Sequence, residues 1–179
     1  MRSKTTTAVM AALISLAPQA FAKTSTIDAA QSSVRWTGKK VVGQEHVGTV
    51  AVRSGQVEFD GSSLKGGEIL IDMSSIKNED LKDAESNAKL TGHLKSDDFF
   101  GVAQHPTSKL KITSVKQLKN QKNATHEITG DLTIKGVTKP VTFPAKIEVK
   151  NGITTATGKL VVDRTKYNIR YGSGKFFEN

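Results

Sequence analysis

The sequence predicts an all-β domain of eight antiparallel strands with one short helical insertion. Three observations carry that prediction: apolar and polar residues alternate with period two along most of the chain, Gly-containing turns separate the alternating runs, and helical stripes are nearly absent. At 179 residues, 36% hydrophobic and 24% charged, the chain accommodates one domain of about 150 residues plus an additional segment. With no Cys, a disulfide scaffold, a thiolate metal site and cysteine catalysis are excluded, and 15 Gly and 4 Pro without a repeat exclude a collagenous chain.

The additional segment is N-terminal. Met1–Ala22 places Arg2 and Lys4 before an apolar run, Ala8–Ala17, followed by Pro18 and Ala20-Phe21-Ala22, the order of a secretory signal peptide cleaved after Ala22. The run has 10 residues, too few to cross a hydrocarbon core of about 30 Å as a helix. The mature domain is then 23–179, and export without disulfides suits a bacterial periplasm.

Each strand follows from its own alternation. Ser33–Val41 turns Val34 and Trp36 one way and Arg35 and Thr37 the other; His46–Val52 puts Val50 and Val52 on one face. Ser54-Gly55 reads as a turn into Gln56–Asp60, where Val57 and Phe59 alternate with Glu58 and Asp60. Gly67–Ser74 sets Ile69, Ile71 and Met73 inward, with Leu70 as the one mismatch. Between Ser75 and Pro106 the alternation stops, acidic residues precede good helix formers in Asn87–Lys95, and one or two short helices are expected. Pro106 ends the insert.

Strands resume at Lys109–Val115, with Leu110 and Ile112 inward, and at Glu127–Ile134, with Ile128, Gly130, Leu132 and Ile134 inward. After the Gly136 turn, Thr138–Lys150 places Val141, Phe143, Ala145, Ile147 and Val149 on one face, and its Pro140 and Pro144 require an edge or a bulge. Asn151-Gly152 is a strong hairpin turn. It leads into Ile153–Asp163, read with Ala156, Gly158, Leu160 and Val162 inward. Eight such strands form a barrel or a sandwich. A closed barrel leaves no open edge and holds either interdigitated side chains or one small ligand.

Catalytic signatures are missing. No serine sits in a Gly-x-Ser-x-Gly elbow, no Gly-rich phosphate loop opens a helix, and His126-Glu127 lacks a second zincin histidine. His93 and His105 share the insert with Asp97 and Asp98, but their spacing fits no short metal motif, and the two aspartates are read as helix caps. Neither an enzyme nor a resident cofactor is expected. The net charge of +9 is uneven: 23–104 carries 10 basic and 12 acidic residues, 105–179 carries 14 and 5. Lys109, Lys111, Lys135, Lys139 and Lys159 are assigned to the outward phase of strands. Without aromatic partners they do not suggest nucleic acid. The denser Arg164, Lys166, Tyr167, Arg170, Tyr171 and Lys175 suit transient contact with an anionic membrane surface.

Four runs resemble the YceI-like family of periplasmic, polyisoprenoid-binding proteins: Ser33-Val34-Arg35-Trp36-Thr37-Gly38; His93-Leu94-Lys95-Ser96-Asp97-Asp98-Phe99-Phe100 with Pro106 after it; Gly130-Asp131-Leu132-Thr133-Ile134-Lys135-Gly136-Val137-Thr138-Lys139-Pro140-Val141; and Asp163-Arg164 with Tyr167. The resemblance implies an eight-stranded antiparallel lipocalin-like barrel holding a long lipid, such as a polyisoprenoid, an isoprenoid quinone or a related amphiphile. From strand phase, Trp36, Phe59, Ile69, Ile71, Leu110, Ile112, Leu132, Ile134, Val141, Phe143 and Ile147 would line the interior. Phe99 and Phe100 would plug it, and Arg164 with Tyr167 would stand near a mouth. The alternative is a filled barrel, a periplasmic stress or accessory protein acting through protein or membrane-surface contacts.

Overall fold

The computed structural model describes residues 23–39, 45–61 and 63–172. The expected export signal at 1–22, Val41 of the first expected strand and Lys175 of the basic segment lie outside the described residues. Eight strands form one antiparallel sheet: β1 (Lys23–Thr26), β2 (Ser33–Lys39), β3 (Glu45–Asp60), β4 (Ser63–Asn78), β5 (Thr107–Gln117), β6 (His126–Ile134), β7 (Val137–Lys150) and β8 (Ile153–Gly158), with helix α1 (Ala84–Lys95) between β4 and β5. Their order is β1-β3-β4-β5-β6-β7-β8, and β2 pairs with β3 beside β1.

A single sheet disposes of the sandwich. It curls into a half-barrel with a concave apolar face. Among the described residues β8 pairs with neither β1 nor β2. The strand count matches the expectation, but its parts differ. The expected turn at Ser54-Gly55 is a register shift inside one continuous β3, between Val52 and Ser54. Gly55 is needed there for close approach: an added Cβ would lie 2.7 Å from Ile27 Cδ1 and 3.0 Å from the Glu68 carbonyl oxygen. A bulge and a turn share the same local Gly signal. The eighth strand is instead β1, whose polar Lys-Thr-Ser-Thr alternates nothing and is held by pairing with the far half of β3, Lys23 opposite Phe59.

The β6–β7 and β7–β8 connections are two-residue turns with positive φ at both positions, Lys135 and Gly136 in one and Asn151 and Gly152 in the other. These turns match the twist of the flanking strands. β8 stops at Gly158, short of the expected Asp163, and a 3-10 turn occupies Arg164–Tyr167. Asp163 starts that turn by accepting from Thr165 N at 3.0 Å and Thr165 Oγ1 at 2.7 Å.

The insert is a helix where Asn87–Lys95 was expected, begun three residues earlier by an N-cap: the Asp83 carboxylate accepts from Ser86 N at 2.8 Å. Asp97 and Asp98 do not cap it. The C-cap is Ser96, whose N–H reaches the Gly92 and His93 carbonyls, and a carboxylate beside the negative helix end gains nothing from the dipole. A polar knot ties the start of the insert to the sheet. Asp80 accepts from Val47 N at 2.8 Å, lies 2.8 Å from His46 Nδ1 and is reached by Asn78 Nδ2; Asn87 Nδ2 donates to the Asn78 and Leu81 carbonyls at 3.1 and 3.0 Å.

The Val47 amide, then His46 and Asn78, hold the Asp80 carboxyl down to about 2, against an ordinary 3.8. Asp72, beside Ser74, and Asp83, beside Ser86, are lowered as well. A depressed carboxyl adds stability above its unfolded pKa and loses it as pH falls through the folded one. The melting temperature is therefore expected to fall between about pH 4 and pH 2. Asp80→Asn should flatten that fall; equal slopes for wild type and variant in a pH-resolved melting series would contradict the assignment.

Candidate functional site

Register places the predicted lining on one face. Ile69, Leu110 and Leu132 stand side by side across β4, β5 and β6; Ile112 is flanked by Gly67 and Gly130, and Val141 continues that row on β7. Ile128 faces Phe143 one row on, and Ile147 faces Ala156 of β8. Trp36 pairs with Gly48, and Phe59 with Leu64 at the far end of β3. Ile112 is buried, whereas Trp36, Phe59, Ile69, Ile71, Leu110, Leu132, Ile134, Val141, Phe143 and Ile147 keep part of their surface in water. Leu70, the mismatch in the alternation, points to the convex side with Ser54 and Lys109 as neighbours.

Two apolar clusters divide this face. The first is built on Val50, Met73, Ile76, Leu94 and Val102, with Trp36, Ile71, Phe99 and Phe100 packed against it; here α1 and the turn after it cover β2, β3 and β4. The second, Ile112, Ile128 and Ala145 with Leu110, Val115, Phe143 and Ile147, contains no residue of the insert. Phe99 and Phe100, edge to face at 5.0 Å, thus belong to one half only; the other is an apolar strip along β5–β7, here called the trough, with a buried centre and part-exposed flanks at Leu110, Phe143 and Ile147.

The four runs that carry the family resemblance converge where the insert meets the sheet. The Arg164 guanidinium lies 5.2 Å over the Phe99 ring and donates to the Ile169 carbonyl at 3.1 Å; Lys135 Nζ donates to the Asp97 carbonyl at 2.6 Å; Trp36 packs in the same cluster as Phe99. Tyr167 is buried, and that burial pushes its phenol above the ordinary value of 10.0. The Arg164 guanidinium thus ties the 3-10 turn to Phe99 of the insert, and Tyr167 lies buried in the same turn. His93 stacks between Phe99, at 5.7 Å, and Tyr171, at 4.4 Å, while His105 packs on Gly136. Among the described residues no three His, Cys, Asp or Glu side chains gather as a metal site.

Three lysines depart from the outward assignment, Lys159 because β8 ends one residue before it. Lys135 is half-buried at a turn and bonded to the insert, and Lys139 shares the concave phase, opposite Leu132. Lys139 has the parity of Val141 in the sequence, so the alternation itself carried that signal. Two polar atoms of the insert-covered half also escape the alternation: Trp36 Nε1 and His93 Nε2 are buried without a hydrogen-bond partner. Unserved buried polar atoms are uncommon and call for an explanation.

A family model described as the YceI-like domain matches residues 26–179. The chain belongs to the YceI-like family. Among curated relatives, a UPF0312 protein of Ectopseudomonas mendocina is 34% identical over 99 residues, covering 55% of this chain and 48% of the relative. One from Shewanella denitrificans is 36% identical over 92 residues, covering 51% and 44%. The matched stretch thus spans about half the length of these relatives. Among solved structures, Burkholderia cenocepacia BcnA is similar at 25% identity with a TM-score of 0.60, covering 79% of this chain and 84% of that one. A Campylobacter jejuni YceI protein, at 22% identity and a TM-score of 0.53 over 82% and 85%, shares the fold. For this YceI-like chain the comparisons bear out the family and the β-barrel architecture that the four runs implied.

Proposed function

We propose that this YceI-like chain is a periplasmic, non-catalytic carrier that lays a long apolar lipid, a polyisoprenoid, isoprenoid quinone or similar amphiphile, along its concave face. The observation that carries the reading is the β5–β7 trough, a contiguous apolar cluster that holds no residue of the insert and whose flanking Leu110, Phe143 and Ile147 keep part of their surface exposed. Each methylene buried there contributes about 0.8 kcal/mol, so a tail of several prenyl units offsets its ordering cost without a specific head group. Head-group chemistry has a place as well: Trp36 Nε1–H is a buried donor without a partner, suited to a carbonyl, hydroxyl or phosphate oxygen.

Trp36 is the only tryptophan in the chain and packs in the insert-covered cluster beside the trough, so its emission reports a guest whose head group reaches that end of the face. Titrating the purified protein with a long-chain isoprenoid quinone is expected to quench that emission saturably at one molecule per chain, and a short quinone without a tail should not compete. Unchanged emission, with no bound quinone by gel filtration, would support the accessory-protein reading instead.

A further inference from the structure

We infer that the tip of the β7–β8 hairpin is a docking wedge for an anionic bilayer surface. Val149 and Ile153 flank the Asn151-Gly152 turn and expose 63% and 67% of their surface. Register puts them on opposite faces: Val149 faces Thr154 on the concave side, while Ile153 faces Lys150 on the convex side. An apolar group on each side of a two-stranded tip has no protein surface to bury against, but both are served when the tip enters the boundary between headgroups and acyl chains. Val161, just beyond β8, is 86% exposed.

Charge around the tip selects the lipid. Lys150 stands at the turn, and toward the base of the hairpin Lys122, Lys146 and Lys159 line one surface depression whose one carboxylate, Glu148, is ion-paired to Lys146 at 2.8 Å. Glu127, one strand further in, faces Lys116. Exposed cations at and behind an apolar tip fit a surface of phosphate headgroups, which attracts them within a Debye length. The sequence alone pointed to the Arg164–Lys175 segment for such contact, yet Arg164 lies over the Phe99 ring and Tyr167 is buried.

Sedimentation of the full chain with phosphatidylglycerol–phosphatidylethanolamine vesicles, against phosphatidylcholine vesicles, tests the wedge. Binding is expected to the anionic vesicles only, and to fall about tenfold or more between roughly 50 and 500 mM salt. Val149→Ser with Ile153→Ser, and separately Lys146→Gln with Lys150→Gln and Lys159→Gln, should each weaken binding about tenfold with an unchanged melting temperature. Lys166→Gln should leave it intact. Failure to bind anionic vesicles, or binding by both hairpin variants equal to that of wild type, overturns the inference. So does a wild-type dimer that the serine pair turns into a monomer, since the strip would then be an interface between two copies.

Discussion

Gly48→Ala is expected to destabilise the domain by about 4 kcal/mol, near the upper end for a single substitution, and to lower the melting temperature by about 10 °C. A Cβ at this position would sit 1.9 Å from the Lys77 carbonyl oxygen, 2.6 Å from Trp36 Cζ2 and 2.7 Å from Trp36 Cε2. Backbone on one side and a packed indole on the other leave it nowhere to go, so either β3 and β4 part or the Trp36 ring leaves its seat. Gly92→Ala supplies the contrast. Gly92 lies inside α1 with nothing within 4 Å of its added methyl group, and alanine there should stabilise by about 0.5–1 kcal/mol. Chemical denaturation of the three proteins checks both signs; a Gly48→Ala domain as stable as wild type would remove Trp36 from its place against β3.

Val141→Asp is the second large effect, and it falls on binding rather than folding. Val141 lies in the trough opposite Gly130 with part of its surface in water, so the free protein can hydrate a carboxylate there at a cost of about 1 kcal/mol. With an acyl or prenyl tail laid over it, the same carboxylate loses its water. Lys139 on the same face softens that penalty without cancelling it. A net loss of about 3 kcal/mol corresponds to a roughly hundredfold fall in affinity. Quinone titration with Trp36 emission, beside a melting curve showing only a small shift, is the check. Retained affinity would place the guest elsewhere on the molecule.

The lining of the trough was legible because period-two alternation assigns a face whichever strand is the neighbour. Ile69, Leu110, Leu132 and Val141 come together across four strands as their parity required. Alternation does not distinguish a bulge from a turn, so β3 read as two strands. Nor does it see a strand without apolar residues, so β1 went unread until its partner was known. The end of β8 was overrun because Leu160 and Val162 continue the pattern past the last pairing with β7, while the chain beyond Val162 is shaped by the Asp163 side chain and by Phe99, far earlier in the sequence. Long-range closure is the other part that alternation leaves open: it says which residues face inward, not whether the two ends of the sheet meet.

Whether the concave face carries a lipid is decided by organic-solvent extraction of the protein purified after expression in a bacterium, with mass spectrometry of the extract. One long-chain apolar molecule per chain is expected, and it should be lost in Val141→Asp. An empty extract from folded protein, together with no uptake of a polyprenyl ligand added afterwards, would contradict the carrier reading.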